Sequence, residues 1–190
     1  MKSGYDIEQF KSLEEGWFFY DHAWSLLFEL IKKIEGETVL DVGCGTGFAL
    51  GVMQSVFPWK RFLGVEPTEF GRNFWDARNI KVENASATNL PYKDTTFDTV
   101  FSSHVVEHIE EDEKAISEII RVAKKRAIIV VPEGDVDAKQ FGSSHVQIYN
   151  RKNFKEKILK YTDPGHKAVI YSLPHLHIPN LIAIIDKVWL

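Results

Sequence analysis

Apolar residues recur at Trp17, Tyr20, Trp24, Leu27, Phe28, Ile31 and Ile34. This stride of three and four predicts a helix with one buried face, and Glu29, Lys32 and Lys33 fall on its other side. The pattern then changes period. Thr38–Val42 is a short apolar run ending in glycines and predicts a buried strand, and Phe48–Phe57 predicts a helix stopped by Pro58. The alternation repeats: Arg61–Val65 as a second strand, then a helix capped by Thr68 and running to about Arg78. Ile80–Glu83 gives a brief third strand and Phe97–Phe101 a fourth. A helix over Glu111–Val122 follows, then a fifth and most apolar strand at Ala127–Val131. Strands of uniform apolar character separated by helices predict a parallel sheet covered on both faces.

After Asn153–Tyr161, which has a helical pattern, Ala168–Tyr171 and Leu181–Ile185 both look like strands. The stretch between them is too short for a helical crossover, so they are expected to pair antiparallel at one edge. The expected fold class is a single doubly wound, mostly parallel α/β sheet with helices on both faces. One domain spans residues 1–190, with a helical cap over 1–35, a binding core over 36–134, and a substrate-side loop and edge hairpin over 135–190.

Chemistry enters at the first strand-to-helix turn. Asp41-Val42-Gly43-Cys44-Gly45-Thr46-Gly47 has the spacing Gly-x-Gly-x-Gly. Glycines there permit a tight turn and let a ligand approach backbone N–H groups near a helix N-terminus. The dinucleotide fingerprint would need glycine where Phe48 stands, and no Gly-Lys-Ser/Thr P-loop is present. Glu66 ends the second strand, 66 − 47 = 19 residues past the last loop glycine. An acid at that tip can accept hydrogen bonds from both ribose hydroxyls of an adenosine lying over the loop, and it disfavours a 2′-phosphate.

Val39–Gly47 resembles the first motif of class I S-adenosylmethionine-dependent methyltransferases. The resemblance continues through Phe62–Glu66, Asn89–Tyr92 and Phe97–Ile109, covering residues 36–134 in order. It implies a seven-stranded sheet with an antiparallel edge hairpin, S-adenosylmethionine as cofactor and S-adenosylhomocysteine as product. It also implies that Asp41, Gly43, Cys44 and Gly45 line the methionine side, Glu66 holds the ribose and Pro67 lies near the adenine. Where related sequences often carry an Asp for the adenine amino group, this chain has Ser86. Ser86 or Thr88, or the backbone N–H of Ala87, is then expected to meet the adenine, and the backbone of Ser103 the methionine amino group. His145, within Gly142–Tyr149, resembles a His-Val-x-x-aromatic segment of small-molecule methyltransferases. It is the candidate catalytic residue, touching the acceptor or taking its proton, unless it only anchors the loop.

Other signals narrow the picture. His104-Val105-Val106-Glu107-His108 matches a zinc-peptidase pattern. That pattern requires a long helix, whereas here it begins as a strand ends, and no metal is expected. Glu110–Glu113 fits an acidic first helical turn. Trp17, Phe18, Tyr20 and His22 fit a lid or helix packing, and Trp17, Phe18 and Phe19 fit a lid or a homodimer contact equally well. His175 and His177 fall in the terminal hairpin. The net charge is −4, from 23 basic and 27 acidic residues. This balance favours neither a nucleic-acid partner nor an anionic membrane. One cysteine and no apolar leader or span fit a cytoplasmic location. The expected function is methyl transfer to a small-molecule or sugar-like acceptor. A non-catalytic binding module and, less favoured, an NAD-linked oxidoreductase are the alternatives.

Overall fold

The computed structural model describes residues 17–69, 71–134, 145–174 and 179–187, with side chains from Trp24 onward. Helix α1 (Trp17–Ile31) precedes β1 (Thr38–Val42), α2 (Phe48–Val56), β2 (Arg61–Val65), α3 (Arg72–Arg78), β3 (Val82–Glu83) and β4 (Phe97–Ser103). A 3-10 turn (Val106–His108), α4 (Asp112–Val122), β5 (Ala123–Pro132), α5 (Arg151–Lys160), β6 (His166–Leu173) and β7 (Asn180–Lys187) follow. The seven strands form one sheet in the order β3-β2-β1-β4-β5-β7-β6. The first five run parallel, and β7 lies antiparallel to both β5 and β6. This is the expected α/β class with its antiparallel C-terminal pair.

Alternation along the central strands sorts side chains onto the two faces. Val39, Phe101, Ile128, Val130, Ile182 and Ile184 point to one layer, where Leu26, Leu27 and Leu30 of α1 and Met53 of α2 cover them. Leu40, Val42, Val100, Ala127, Ile129 and Val131 face the other, under Ala115, Ile116, Ile119 and Ile120 of α4 and Phe154 and Ile158 of α5. Burial on both faces explains why these strands are apolar runs rather than alternating ones.

Four expectations change. The helix after β2 begins at Arg72, with Gly71 at its N-cap, instead of at Thr68. Thr68 turns back to Glu66, donating from N (3.2 Å) and Oγ1 (2.8 Å) to its Oε1, so the hydroxyl serves a carboxylate and caps nothing. The third strand shrinks to Val82–Glu83, the two residues that pair with Gly64 and Val65. The fifth extends back to Ala123, where Lys124 and Lys125 are exposed at the strand's polar start. The C-terminal helix starts at Arg151. Asn150 caps it, accepting from Lys152 N (2.9 Å) and Asn153 N (3.0 Å).

Candidate functional site

Strand order reverses between β1 and β4, which pair through Val39–Asp41 and Thr99–Phe101. In open α/β sheets the crevice outside the strand C-termini at such a point is the ligand site. The glycine loop leaves β1 there, and the backbone turns sharply beyond β4, with His104 at φ 56°. The two segments meet closely. Gly43 has φ +77°, and a Cβ built on it would come within 2.4 Å of Val105 Cγ2. Only glycine satisfies both the left-handed backbone and that approach.

The loop is held from three sides. Gly43 N (2.8 Å) and Cys44 N (3.1 Å) donate to Val65 O, tying the loop to the end of β2. Trp75 of α3 donates from Nε1 to Gly45 O at 2.8 Å. Gly45 N donates to Glu66 Oε2 at 3.2 Å. The acid read from the sequence therefore touches the loop directly. Together with Thr68, three donors fix its carboxylate at the tip of β2.

Asp41 and Glu66 are both buried. Burial, with the Glu66 charge adding to it, pushes the Asp41 carboxyl well above its ordinary range. Burial also raises Glu66, against the lowering effect of its bonds from Thr68 and Gly45. Two costly carboxylates in one crevice are more characteristic of a binding site than of a packing core. Cys44 is buried, and burial first, then Asp41 and Glu66, drive its thiol pKa upward. No thiolate forms there at neutral pH, so Cys44 serves as a small loop residue and not as a nucleophile.

Pro67 and the segment after β3 adjoin: Asn84 Nδ2 donates to Pro67 O at 3.2 Å. Ser86 is exposed, with its Oγ 2.9 Å from Thr88 Oγ1, while Ala87 is buried. Ser103 is the last residue of β4, and its neighbour Ser102 donates to Val42 O at 3.0 Å. Asp41, Gly43, Cys44, Gly45, Glu66 and Ser103 thus lie at the C-terminal ends of adjacent strands or just beyond them, with Pro67 next to Glu66 and Ser86–Thr88 in the segment that leaves the neighbouring β3.

His145 begins the segment that packs on the turn after β4 and bonds just past the end of β5 through Tyr149. Val146 N (2.9 Å) and Gln147 N (3.0 Å) both donate to the Glu107 carbonyl. Gln147 Nε2 bonds Glu110 O at 3.2 Å. This clasp sets the His145 ring 4.8 Å from the His108 ring, a pairing that sequence reading missed. His104 and His108 do not share a helix face, since only the 3-10 turn lies between β4 and α4. The peptidase geometry is therefore absent. Gly142–Ser144, His175, His177 and the side chains of Trp17, Phe18, Phe19, Tyr20 and His22 lie outside the described residues.

Residues 40–131 match the family model described as a methyltransferase domain. The chain is 30% identical over 180 residues to the uncharacterized protein MJ1123 of Methanocaldococcus jannaschii, covering 94% of this chain and 81% of that one. The chain belongs to the class I methyltransferase family. Norajmaline N-methyltransferase of Rauvolfia serpentina is 33% identical over 102 residues, 50% of this chain and 35% of that protein. The tRNA (carboxymethyluridine(34)-5-O)-methyltransferase of Arabidopsis thaliana is 31% identical over 112 residues, 57% and 27% of the two chains. The chain thus spans about a third of the length of these two relatives. A crystal structure described as an SAM-dependent methyltransferase, possible histamine N-methyltransferase, from Thermotoga maritima superposes with a TM-score of 0.73. It is 19% identical, with 96% of this chain and 99% of that one covered, a likeness of fold.

Proposed function

We propose that this methyltransferase-family chain transfers the methyl group of S-adenosylmethionine to a small-molecule or sugar-like acceptor. The observation that carries the reading is the Glu66 carboxylate, buried at the tip of β2 and bonded to the glycine-loop N–H of Gly45. An acceptor-only group beside a loop of positive-φ glycines suits an adenosine ribose, so the residues present fit the cofactor. A carboxylate offers about four lone-pair sites. Gly45 and Thr68 supply three donors, so a ribose diol takes the open site and exchanges with the Thr68 hydroxyl. Asp41, Gly43, Cys44, Gly45 and Ser103 serve the methionine end, and Pro67, Ser86, Ala87 and Thr88 the adenine end.

Bound S-adenosylmethionine supplies an electrophilic methyl group on a sulfonium. The protein's task is to hold an acceptor atom in line and exclude water. His145, in the segment that packs on the turn after β4, is our candidate to meet the acceptor. The small-acceptor reading draws on the norajmaline N-methyltransferase relative and on the net charge of −4, unsuited to a polyanion. Among the described residues no helix is long and apolar enough to cross a membrane, which agrees with a proposed cytoplasmic location.

Incubation with methyl-labelled donor and a fractionated cell extract tests the reading. Label is expected in the metabolite fraction, with release of S-adenosylhomocysteine. Label in the tRNA fraction would move the acceptor to the class of the Arabidopsis relative. Cofactor binding without product would leave a binding module.

Affinity should also depend on pH. The ribose needs an ionised Glu66, whose pKa in the free protein lies above the ordinary 4.5. Cofactor affinity is therefore expected to fall as pH drops through that raised value, by up to about tenfold per pH unit. The same carboxyl has the opposite effect on the cofactor-free fold. A raised folded pKa means that ionisation costs stability above the ordinary value, and acidification relieves the cost. Calorimetric titrations of S-adenosylhomocysteine across pH 4–7, on wild type and Glu66→Gln, read the first effect. A wild-type affinity that stays flat over that range would remove Glu66 from the ribose.

A further inference from the structure

We infer that Glu107, His108 and His145 form a binding site for one divalent transition ion, zinc in the first place, at the turn that follows β4. Each contributes one ligand atom, and the three atoms lie within 4.8 Å of one another. The set is two imidazoles and one carboxylate. That donor chemistry suits zinc and its neighbours over magnesium or calcium, which take oxygen ligands. Two histidines and a glutamate leave a fourth position open, the arrangement of zinc sites that exchange water for a ligand. The inference goes beyond the methyl-transfer reading and does not rest on it. It also departs from the expectation of no metal, because the third ligand comes from a segment that the His104–His108 motif gave no reason to include.

Four features support a built site over a chance meeting of side chains. Glu107 is completely buried, and in that low-dielectric setting a carboxylate attracts a cation more strongly than it would in water. Both histidines are part-buried, His108 with 13% of its side chain exposed. His108 Nε2 stands 3.9 Å and His104 Nδ1 3.5 Å from Glu107 Oε1. Finally, the backbone fixes the meeting of two distant segments. The Glu107 carbonyl that accepts from Val146 N and Gln147 N belongs to one ligand and holds the residues directly after another.

In a tetrahedral site with bonds of about 2.0–2.1 Å, ligand atoms stand about 3.3 Å apart. The three donors must therefore draw in by roughly 1.5 Å at most, a movement that rotation of the two imidazoles supplies. His104, beside Glu107 Oε1, is placed to orient the carboxylate from outside the ligand set. With an ion bound, His145 would meet the acceptor through the metal instead of acting as a free base.

Zinc titration of the full chain in competition with a chromogenic chelator tests the inference. Elemental analysis after dialysis and cobalt(II) absorption accompany it. One ion per chain with submicromolar affinity is expected, and intense visible cobalt bands characteristic of four coordination. His145→Ala and His108→Gln should each weaken zinc binding at least a hundredfold, whereas His166→Ala on β6 should not change it. Calorimetry with S-adenosylhomocysteine verifies that the variants are folded and reads the cofactor site separately. Failure of the wild type to bind zinc at 100 µM, or retention of tight binding by the two site variants, would overturn the assignment. Loss of S-adenosylhomocysteine binding with zinc binding intact would instead count against the methyltransferase reading.

Discussion

Glu66→Ala is expected to weaken S-adenosylhomocysteine binding at least tenfold, about 1.4 kcal/mol, without destabilising the protein. Hydrogen bonds to a charged acceptor contribute about 1.5–3 kcal/mol each, and the variant loses those to the ribose. Stability behaves differently because the carboxylate is a burden to the cofactor-free fold: burial raises its pKa. Removing it relieves that cost, although Gly45 N and the Thr68 hydroxyl lose their acceptor and must turn to water. Calorimetry and thermal melting on the same sample separate the two effects. An affinity within threefold of wild type would place the ribose elsewhere. A loss of binding accompanied by a much lower Tm would indicate a structural role for Glu66.

Asp112→Ala is expected to cost about 3 kcal/mol of stability, a Tm lower by roughly 6–12 °C. Asp112 opens α4, and it is buried. Its Oδ2 accepts from Tyr149 Oη at 2.6 Å and pairs with Lys157 Nζ, and its Oδ1 accepts from Glu113 N at 2.8 Å. The carboxylate thus joins α4, the segment after β5 and α5. Burial, then Asp112 itself, pushes the Tyr149 phenol upward, so it stays a neutral donor. Alanine leaves that hydroxyl buried without its acceptor and the ammonium without its counter-charge. Because 24% of the Lys157 side chain is exposed, the cost should lie near the lower end of that for breaking a buried pair. Tyr149→Phe should cost only about 1 kcal/mol, and the double variant should be less damaging than the sum. Additive effects in denaturant titrations would mean that the two residues are not coupled.

Asp112 also shows where sequence reading stops. In sequence it belongs to an acidic helix start, which the dipole explains well enough. Nothing local announces that Tyr149 and Lys157 will close over it, because those contacts span 37 and 45 residues. Where the signal is local, legibility is high. The bounds of β1 and β2 follow from apolar runs ended by Gly43 and by Glu66, and the contact between Glu66 and the glycine loop follows from strand order. Thr68 looks like a cap because a hydroxyl precedes a helical pattern, yet it donates to the buried Glu66 carboxylate two residues away. The meeting of His108 with His145 depends on backbone bonds to the Glu107 carbonyl, and main-chain bonds of that kind leave no trace in side-chain pattern.

The place of β7 bears on how the protein is made. Residues 180–187 lie in the sheet interior, bonded to β5 on one side and β6 on the other. A chain still on the ribosome, with β6 already outside, has nothing to fill that slot. It carries two unpaired strand edges, one of them along the most apolar strand of the molecule. The contacts that close the sheet join residues 48 to 60 positions apart, and such pairings form late. The sheet therefore closes only after residues 180–187 have been made, and the interval before β7 arrives is when this chain most needs protection from its neighbours.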